Sequence, residues 1–253
     1  MRIENSIFNI QKLDSTESTN KYCEVLDLAE VEDFTCYWAL EQTAGIGQRG
    51  NHWHSAPGMN LTLSLVLHPS FLPADRQFRL NQALSLAICD TLKIQNSKFK
   101  IHIKWPNDIY IDGNKICGTL VSTRLQGGRI ASAICGIGLN VNELEFPSWV
   151  PRATSLALLT GKNYSLQPLL NHLLQCISER YAALRAGTDM ESEYYSHLLN
   201  FGRLACYQYG NELLDATIIG IDPYGRLLLT STDGRNLCCG IKEIALVWSP
   251  DYR

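Results

Sequence analysis

Lys104-Trp105-Pro106-Asn107-Asp108 gathers a cation, an amide and a carboxylate at the end of an alternating apolar run. Ile101, Ile103 and Trp105 alternate with His102 and Lys104. The pattern predicts a strand whose Lys104 ammonium leaves on the face opposite the isoleucines. Pro106 has no N–H to give a ladder and a fixed φ, so the strand ends there. Such a trio suits the handling of a carboxylate or a phosphate. Lys104 supplies a point charge, Asn107 orients, and Asp108 accepts a proton or contacts a metal. The same residues also read as a turn closed by a surface salt bridge.

Gly45-Ile46-Gly47-Gln48-Arg49-Gly50 has the spacing of a dinucleotide fingerprint, but Asn51 to Gly58 and then a strand pattern follow it, not a helix. A Rossmann site needs that helix N-terminus for its pyrophosphate, so this reading is excluded. Side-chain-poor backbone with Arg49 nearby still suits a nest of N–H groups around an anion, or a plain surface loop. Trp53 offers a flat face to a base, or a group buried for packing. Gly136, Gly138 and Asn140 fall at alternate positions of one strand pattern and leave a trough ending in an amide. Gly118 in the neighbouring strand pattern fits the same trough; a bulge or tight helix packing is the other account. Lys115 opens that strand and either reaches a phosphate or stays solvated. His52 and His54 lack a carboxylate or thiolate to complete a metal site and read as loop histidines. G-x-S-x-G, H-E-x-x-H and Walker A are absent, which removes the common hydrolase and P-loop readings.

The elements that must carry these groups follow from periodicity. A helix is expected over Ser15–Glu32, a short strand over Cys36–Glu41, and a half-buried strand over Asn60–Leu67 with Leu61, Leu63, Leu65 and Leu67 on one face. Ala74–Leu92 carries apolar residues at helical spacing. Strand patterns at Ile101–Lys104, Ile109–Asp112, Lys115–Leu125 and Arg129–Val141 are separated by Asp-Gly and Gly-Gly turns too short for a parallel crossover. Helices are expected from Ser165 to Gly187 and from Thr188 to near Gly202. From about Leu204 short strands and tight turns read as a small β-barrel. The expectation is an α+β fold: a largely antiparallel central sheet with helices packed on one side, residues 1–202, and a barrel-like segment, residues 203–253.

The chain of 253 residues is 45% hydrophobic and 19% charged, too apolar for disorder and long enough for a sizeable core. Its formal charge of −3 argues against coating a polyanion by charge alone. Nine cysteines without a C-x-x-C pair disfavour zinc ribbons and disulfide scaffolds. The N-terminus has no apolar signal core and no stretch approaches a membrane span, so a cytoplasmic protein without a membrane partner is expected.

Five segments taken in order resemble the successive motifs of biotin protein ligases: Leu13 to Asn20, Glu41 to Gly50 through Trp53, Lys104 to Asp108, Lys115 to Leu120, and Gly136 to Asn140. K-W-P-N-D is the most specific of them, and the C-terminal segment is similar to that family's SH3-like domain. The resemblance implies a two-step acyl transfer. Biotin's carboxylate attacks the α-phosphate of ATP with Mg²⁺ assistance, and the biotinyl-adenylate then acylates a lysine of a biotin carboxyl carrier protein, as in acetyl-CoA carboxylase. It further implies that Lys104 neutralises charge between carboxylate and phosphate and that Asp108 helps deprotonate the acceptor. Ser18, Thr19, Asn20, Gln42, Gly45, Gly47, Gln48 and Lys104 would hold biotin over the floor of Gly118, Gly136 and Gly138. Arg49, Trp53, Asn107, Lys115 and Asn140 would hold ATP and the adenylate; metal ligands stay unassigned. The glycine-rich loop would act as a lid, with Ala56-Pro57-Gly58 as its hinge.

The relatives' loop often reads G-R-G-R-R-G, whereas Ile46 and Gln48 stand here, so weaker retention of the adenylate is expected. The first motif lies close to Met1, so the expectation is no DNA-binding domain and no operator binding. Dimerisation through a sheet edge is left undecided by any residue. A lipoate or octanoate ligase or transferase shares the broad fold and remains the alternative enzyme. A non-catalytic module whose barrel-like tail binds a peptide or nucleic acid is the alternative of a different class.

Overall fold

The computed structural model describes residues 8–248, with the side chain of Arg49 outside the described residues. The first part of the chain runs β1 (Asn9–Thr16), α1 (Thr19–Glu24), β2 (Thr35–Gln42), β3 (Leu61–Leu67), α2 (Phe78–Gln95), β4 (Ile101–Lys104), β5 (Asp108–Ile111), β6 (Asn114–Gln126) and β7 (Arg129–Leu139). Helices α3 (Leu156–Thr160), α4 (Leu166–Arg185) and α5 (Glu191–His197) follow. The chain then forms β8 (Leu204–Tyr209), β9 (Glu212–Ile221), β10 (Leu227–Ser231), β11 (Asn236–Cys239) and β12 (Ile244–Leu246).

A seven-stranded sheet has the order β1-β2-β3-β7-β6-β5-β4, antiparallel except for the parallel β1–β2 pair. The long helices α2 and α4 cover one face, where Leu61, Leu63, Leu65 and Leu67 enter the main core. Short α1 lies on the other face, and Cys23, Leu28, Val66 and Ile134 make a second small core there. Strand β3 is therefore buried on both faces rather than half-buried. The expected helix over Ser15–Glu32 shrinks to α1, because Ser15 and Thr16 pair in register with Glu41 and Gln42 as the end of β1. Strand β1 is a largely exposed edge strand. It buries too few apolar side chains to print an alternation into the sequence.

A second, five-stranded antiparallel sheet begins at Leu204, with the order β11-β10-β9-β8-β12. It shares the main core: Tyr207, Ile218, Leu227 and Ile244 belong to the same buried cluster as Trp105. The Trp105 indole N–H donates to the Gly225 carbonyl at 2.9 Å. Gly225 holds φ +87° with the Phe78 ring against it, a conformation and a closeness that only glycine allows. Trp105 thus bolts the strand carrying Lys104 to the second sheet.

Register then places the chemistry. Residues paired across neighbouring strands share a face of the pleat. Thr62, Gly138, Gly118, Asp108 and Lys104 form one continuous cross-strand row, with Ser64, Gly136 and Leu120 as the row beside it. A register shift between Ile109 and Tyr110 in the β5–β6 pair brings Lys115 onto that face as well.

Candidate functional site

The face opposite α2 carries a cavity of about 120 Å³ between α1, the glycine-rich loop and the glycine row. Ser18, Thr19, Asn20, Gln42, Gly47, Gln48, Trp53, Asn107, Asp108, Lys115, Gly118, Gly136 and Gly138 all line it. These residues come from sequence-distant motifs, and the sheet brings them together.

At one end the groups are neutral and tied to each other. Gln42 Oε1 accepts from the Thr19 backbone N–H at 2.7 Å and from its hydroxyl at 3.1 Å. The buried Ser64 hydroxyl stands 2.8 Å from Thr19 Oγ1 and 2.6 Å from Asn20 Oδ1 and donates to one of them. Asn20 Nδ2 donates to the Leu120 carbonyl at 3.2 Å. A Cβ at Gly136 would lie 2.1 Å from Asn20 Oδ1, so the glycine is what lets the amide settle onto the sheet.

At the other end the groups are charged. Lys115 Nζ lies 2.6 Å from Asp108 Oδ1 and sits over the Trp53 ring at 5.4 Å. Burial pushes the Lys104 ammonium below the ordinary lysine value; Asp108 opposes that shift and Lys115 adds to it. Among the described residues no ion pair holds Lys104, because the Asp108 carboxylate is taken by Lys115. A partly buried cation without a counter-ion is a standing invitation to an anion.

The glycine-rich loop is a hairpin. Trp53 N–H donates to the Gly45 carbonyl at 2.9 Å, Gly47 N–H to Asn51 at 2.6 Å, and Ile46 bridges His52. Gly45 serves this closure, with the Trp53 carbonyl 2.6 Å from where its Cβ would be, and does not line the cavity. The hairpin lays Trp53 over the floor: a Cβ at Gly138 would meet the indole at 2.3 Å. The trough expected to lie open is thus roofed by Trp53 over Gly138 and Gly118, and by Asn20 over Gly136. The missing side chains make room for the protein's own indole and amide as well as for a ligand.

Two further expectations land outside this cavity, and a third is not described. Lys104 lines a second cavity between the two sheets that meets the first at Gln48, Asn51, Asn107 and Asp108. Asn140 lines a small cavity of about 70 Å³ on the far side of Trp53, together with Phe146 and Val150. Its Nδ2 donates to the Thr154 carbonyl at 3.0 Å, while its Oδ1 and the Trp53 indole N–H are buried without a hydrogen-bond partner. Arg49 falls in the 3-10 turn Gln48–Gly50, and the role expected of its side chain lies outside the described residues. The Asn107 amide donates to the Thr119 carbonyl, so it fixes the β5–β6 junction as well as lining the cavity.

Sequence reasoning missed Ser64, Asn60 and Glu143. Buried Glu143 accepts from Asn60 Nδ2 at 2.5 Å and from the Ala56 N–H at 2.9 Å, and His54 Nε2 lies 3.2 Å away. This clamps the segment after Trp53 onto the exit of β7. Ser64 was visible as a hydroxyl on the polar side of the Leu61–Leu67 alternation; Glu143 sits in a loop with no pattern to flag it.

Among the described residues no group of three or more His, Cys, Asp or Glu could hold a metal ion, and Asp108 is the only acid lining the main cavity. The residues do not form a resident metal cage. No helix among them is long and apolar enough to cross a membrane.

Residues 13–140 match the model of the biotin/lipoate A/B protein ligase family. A bifunctional ligase/repressor BirA of Bacillus subtilis is 30% identical over 226 residues, covering 87% of this chain and 69% of the relative. The biotin--[acetyl-CoA-carboxylase] ligase of Paracoccus denitrificans is 28% identical over 232 residues, covering 88% of this chain and 94% of the relative. Among solved structures, the biotin protein ligase of Aquifex aeolicus in complex with biotin and ATP superposes with a TM-score of 0.78 at 27% identity. It covers 95% of this chain and 99% of that one.

Proposed function

This chain belongs to the biotin/lipoate A/B protein ligase family, and from that premise we propose that it joins biotin to a lysine of a biotin carboxyl carrier protein at the expense of ATP. The observation that carries the reading is a single cavity with a neutral hydrogen-bonding end and a cationic end, roofed by an indole. Biotin's uncharged ring fits the Gln42, Thr19, Ser64 and Asn20 end, and its carboxylate then lies toward Lys115 and Lys104.

In the first step a carboxylate oxygen attacks the α-phosphorus and the bond to pyrophosphate breaks. Lys104 and Lys115 offset the negative charge gathering between the two anions. In the second step the acceptor amine attacks the acyl carbon, the bond to AMP breaks, and Asp108 takes the amine's proton. Asn140 Oδ1 and the Trp53 N–H, an acceptor and a donor left unpaired, suit the amino group and a ring nitrogen of adenine. This gives Asn140, expected to hold ATP and the adenylate, the base as its part of that ligand. Mg²⁺ keeps waters and binds through nucleotide phosphates, so it belongs to the substrate, and no step here runs through a protein-held metal.

The second sheet, from Leu204 to Leu246, is an SH3-like unit in this reading, packed onto the catalytic sheet through Trp105. Ile46 and Gln48 face the cavity where arginine would add charge, so the adenylate leaves more readily than from arginine-rich relatives. Incubation with biotin, ATP, Mg²⁺ and an apo carrier domain tests the function by mass spectrometry. A biotinyl mass increase on one carrier lysine is expected; its absence while carrier and enzyme are folded overturns the reading.

A further inference from the structure

The cavity of about 230 Å³ between the sheets lends Lys104, at its inner end, to the first step, and its apolar remainder has no part in that step. One wall is Trp105 and Pro106; the other is the apolar inner side of the second sheet, with Ile218, Leu227, Ile244 and Leu246. Its inner end is Asp108 and Lys104, and Lys242 lines it as well. It meets the biotin cavity at Gln48, Asn51, Asn107 and Asp108, and Asp108 is the acid at that junction.

We propose that this cavity is the acceptor subsite: an alkyl slot that takes the methylene stem of the carrier's lysine and delivers its amine to the acyl carbon beside Asp108. The proposal rests on the ligase reading. Apolar walls strip water from the stem and from the amine, and Lys104 disfavours a second positive charge beside it. The lysine therefore enters as the free amine, which is the nucleophilic form. Its nitrogen forms the amide bond, the acyl–phosphate bond breaks with AMP as leaving group, and the surplus proton passes to Asp108. Two cavities meeting at one carboxylate let the adenylate stay enclosed while the second substrate arrives from the other side.

Leu246 in β12 lines the slot on the same side as buried Ile244 and stays clear of the biotin cavity, so Leu246→Trp crowds the slot alone. Three rates are measured: biotin-dependent pyrophosphate exchange, transfer to the apo carrier, and trapping of the adenylate by n-butylamine or hydroxylamine. Exchange and hydroxylamine trapping are expected within twofold of the unsubstituted protein, while transfer and butylamine trapping fall at least tenfold. Unchanged butylamine trapping, or an equal fall for both amines, overturns the slot. Should Leu246→Trp fail to fold, the ratio of butylamine to hydroxylamine trapping in Leu246→Phe decides, and an unchanged ratio overturns the proposal. Absence of exchange in the unsubstituted protein would instead refute the ligase reading itself.

Discussion

The two ends of the biotin cavity are built from opposite materials on the same sheet. At the α1 end every polar group named is already hydrogen-bonded to another, from Gln42 through Thr19 and Ser64 to Asn20 and the Leu120 carbonyl. At the β4–β6 end the single carboxylate pairs with Lys115, and Lys104, in the adjoining cavity, is left without an ion pair among the described residues. A network whose members hold each other keeps its shape without a ligand and reads a neutral ring by geometry. An unbalanced cation does the reverse, gaining most when an anion arrives.

The strongest way to break this contrast is Lys104→Ala. Adenylation is expected to fall about 10²–10³-fold, as for loss of one electrostatic stabiliser of a developing charge. Binding of biotin amide, which lacks the carboxylate, should stay unchanged by calorimetry. An equal loss in both would mean that Lys104 supports the fold and not the reaction. Next comes Gly136→Ala. Its Cβ would stand 2.1 Å from Asn20 Oδ1. Displacing that amide costs about 1–3 kcal/mol, or roughly ten- to hundredfold in biotin affinity. Gly118→Ala is the control at the charged end, where the new Cβ meets only side-chain atoms of Trp53 and Lys115 at 3.1 to 3.2 Å. A larger affinity loss for Gly118→Ala than for Gly136→Ala would reverse the assignment of the two ends.

The contrast also governs what the sequence disclosed. Lys104, Asp108, Lys115 and the glycine row stand in or beside regular strands, where period-two alternation and tight turns give direction. The network at the neutral end depends on β1 pairing in parallel with β2 and on a short α1, neither with enough buried apolar surface to leave a period. Trp53 was foreseen as a flat face, but not as the roof over Gly138, because a hairpin's fold-back is set by contacts distant in sequence. Lys104 was expected in the same trough as the glycines. The row does run to it, yet Asp108 stands between and divides one groove into two.

Ser64→Ala sharpens the comparison more gently. It removes one buried hydroxyl that touches Thr19 and Asn20 but no charged group. About 1 kcal/mol is expected, with roughly fivefold weaker biotin binding and an unaltered rate at saturating biotin. A drop in that rate, with binding intact, would show that the neutral end takes part in the chemistry.

The smallest effect separates the two ends by proton uptake. Burial lowers the Lys104 value below its ordinary 10.5, so in the free enzyme this cation is lost earlier on the alkaline side than an exposed lysine would be. The adenylation rate at low substrate should therefore fall along an alkaline limb that begins below 10.5, and Lys104→Arg should move that limb upward. Affinity for biotin amide, read by Gln42, Thr19 and Asn20, contains no group titrating there and should stay level. The stability sign is opposite to that of a lysine held by a partner. Folding disfavours the charged form, so the folded state gains stability as pH rises from the lowered value to 10.5. Lys104→Met should remove that gain. A bound anion should cancel it too, because a carboxylate or phosphate beside the ammonium raises the value again. An alkaline limb that survives in Lys104→Arg unchanged would assign it to another group and leave the two ends without this electrostatic difference.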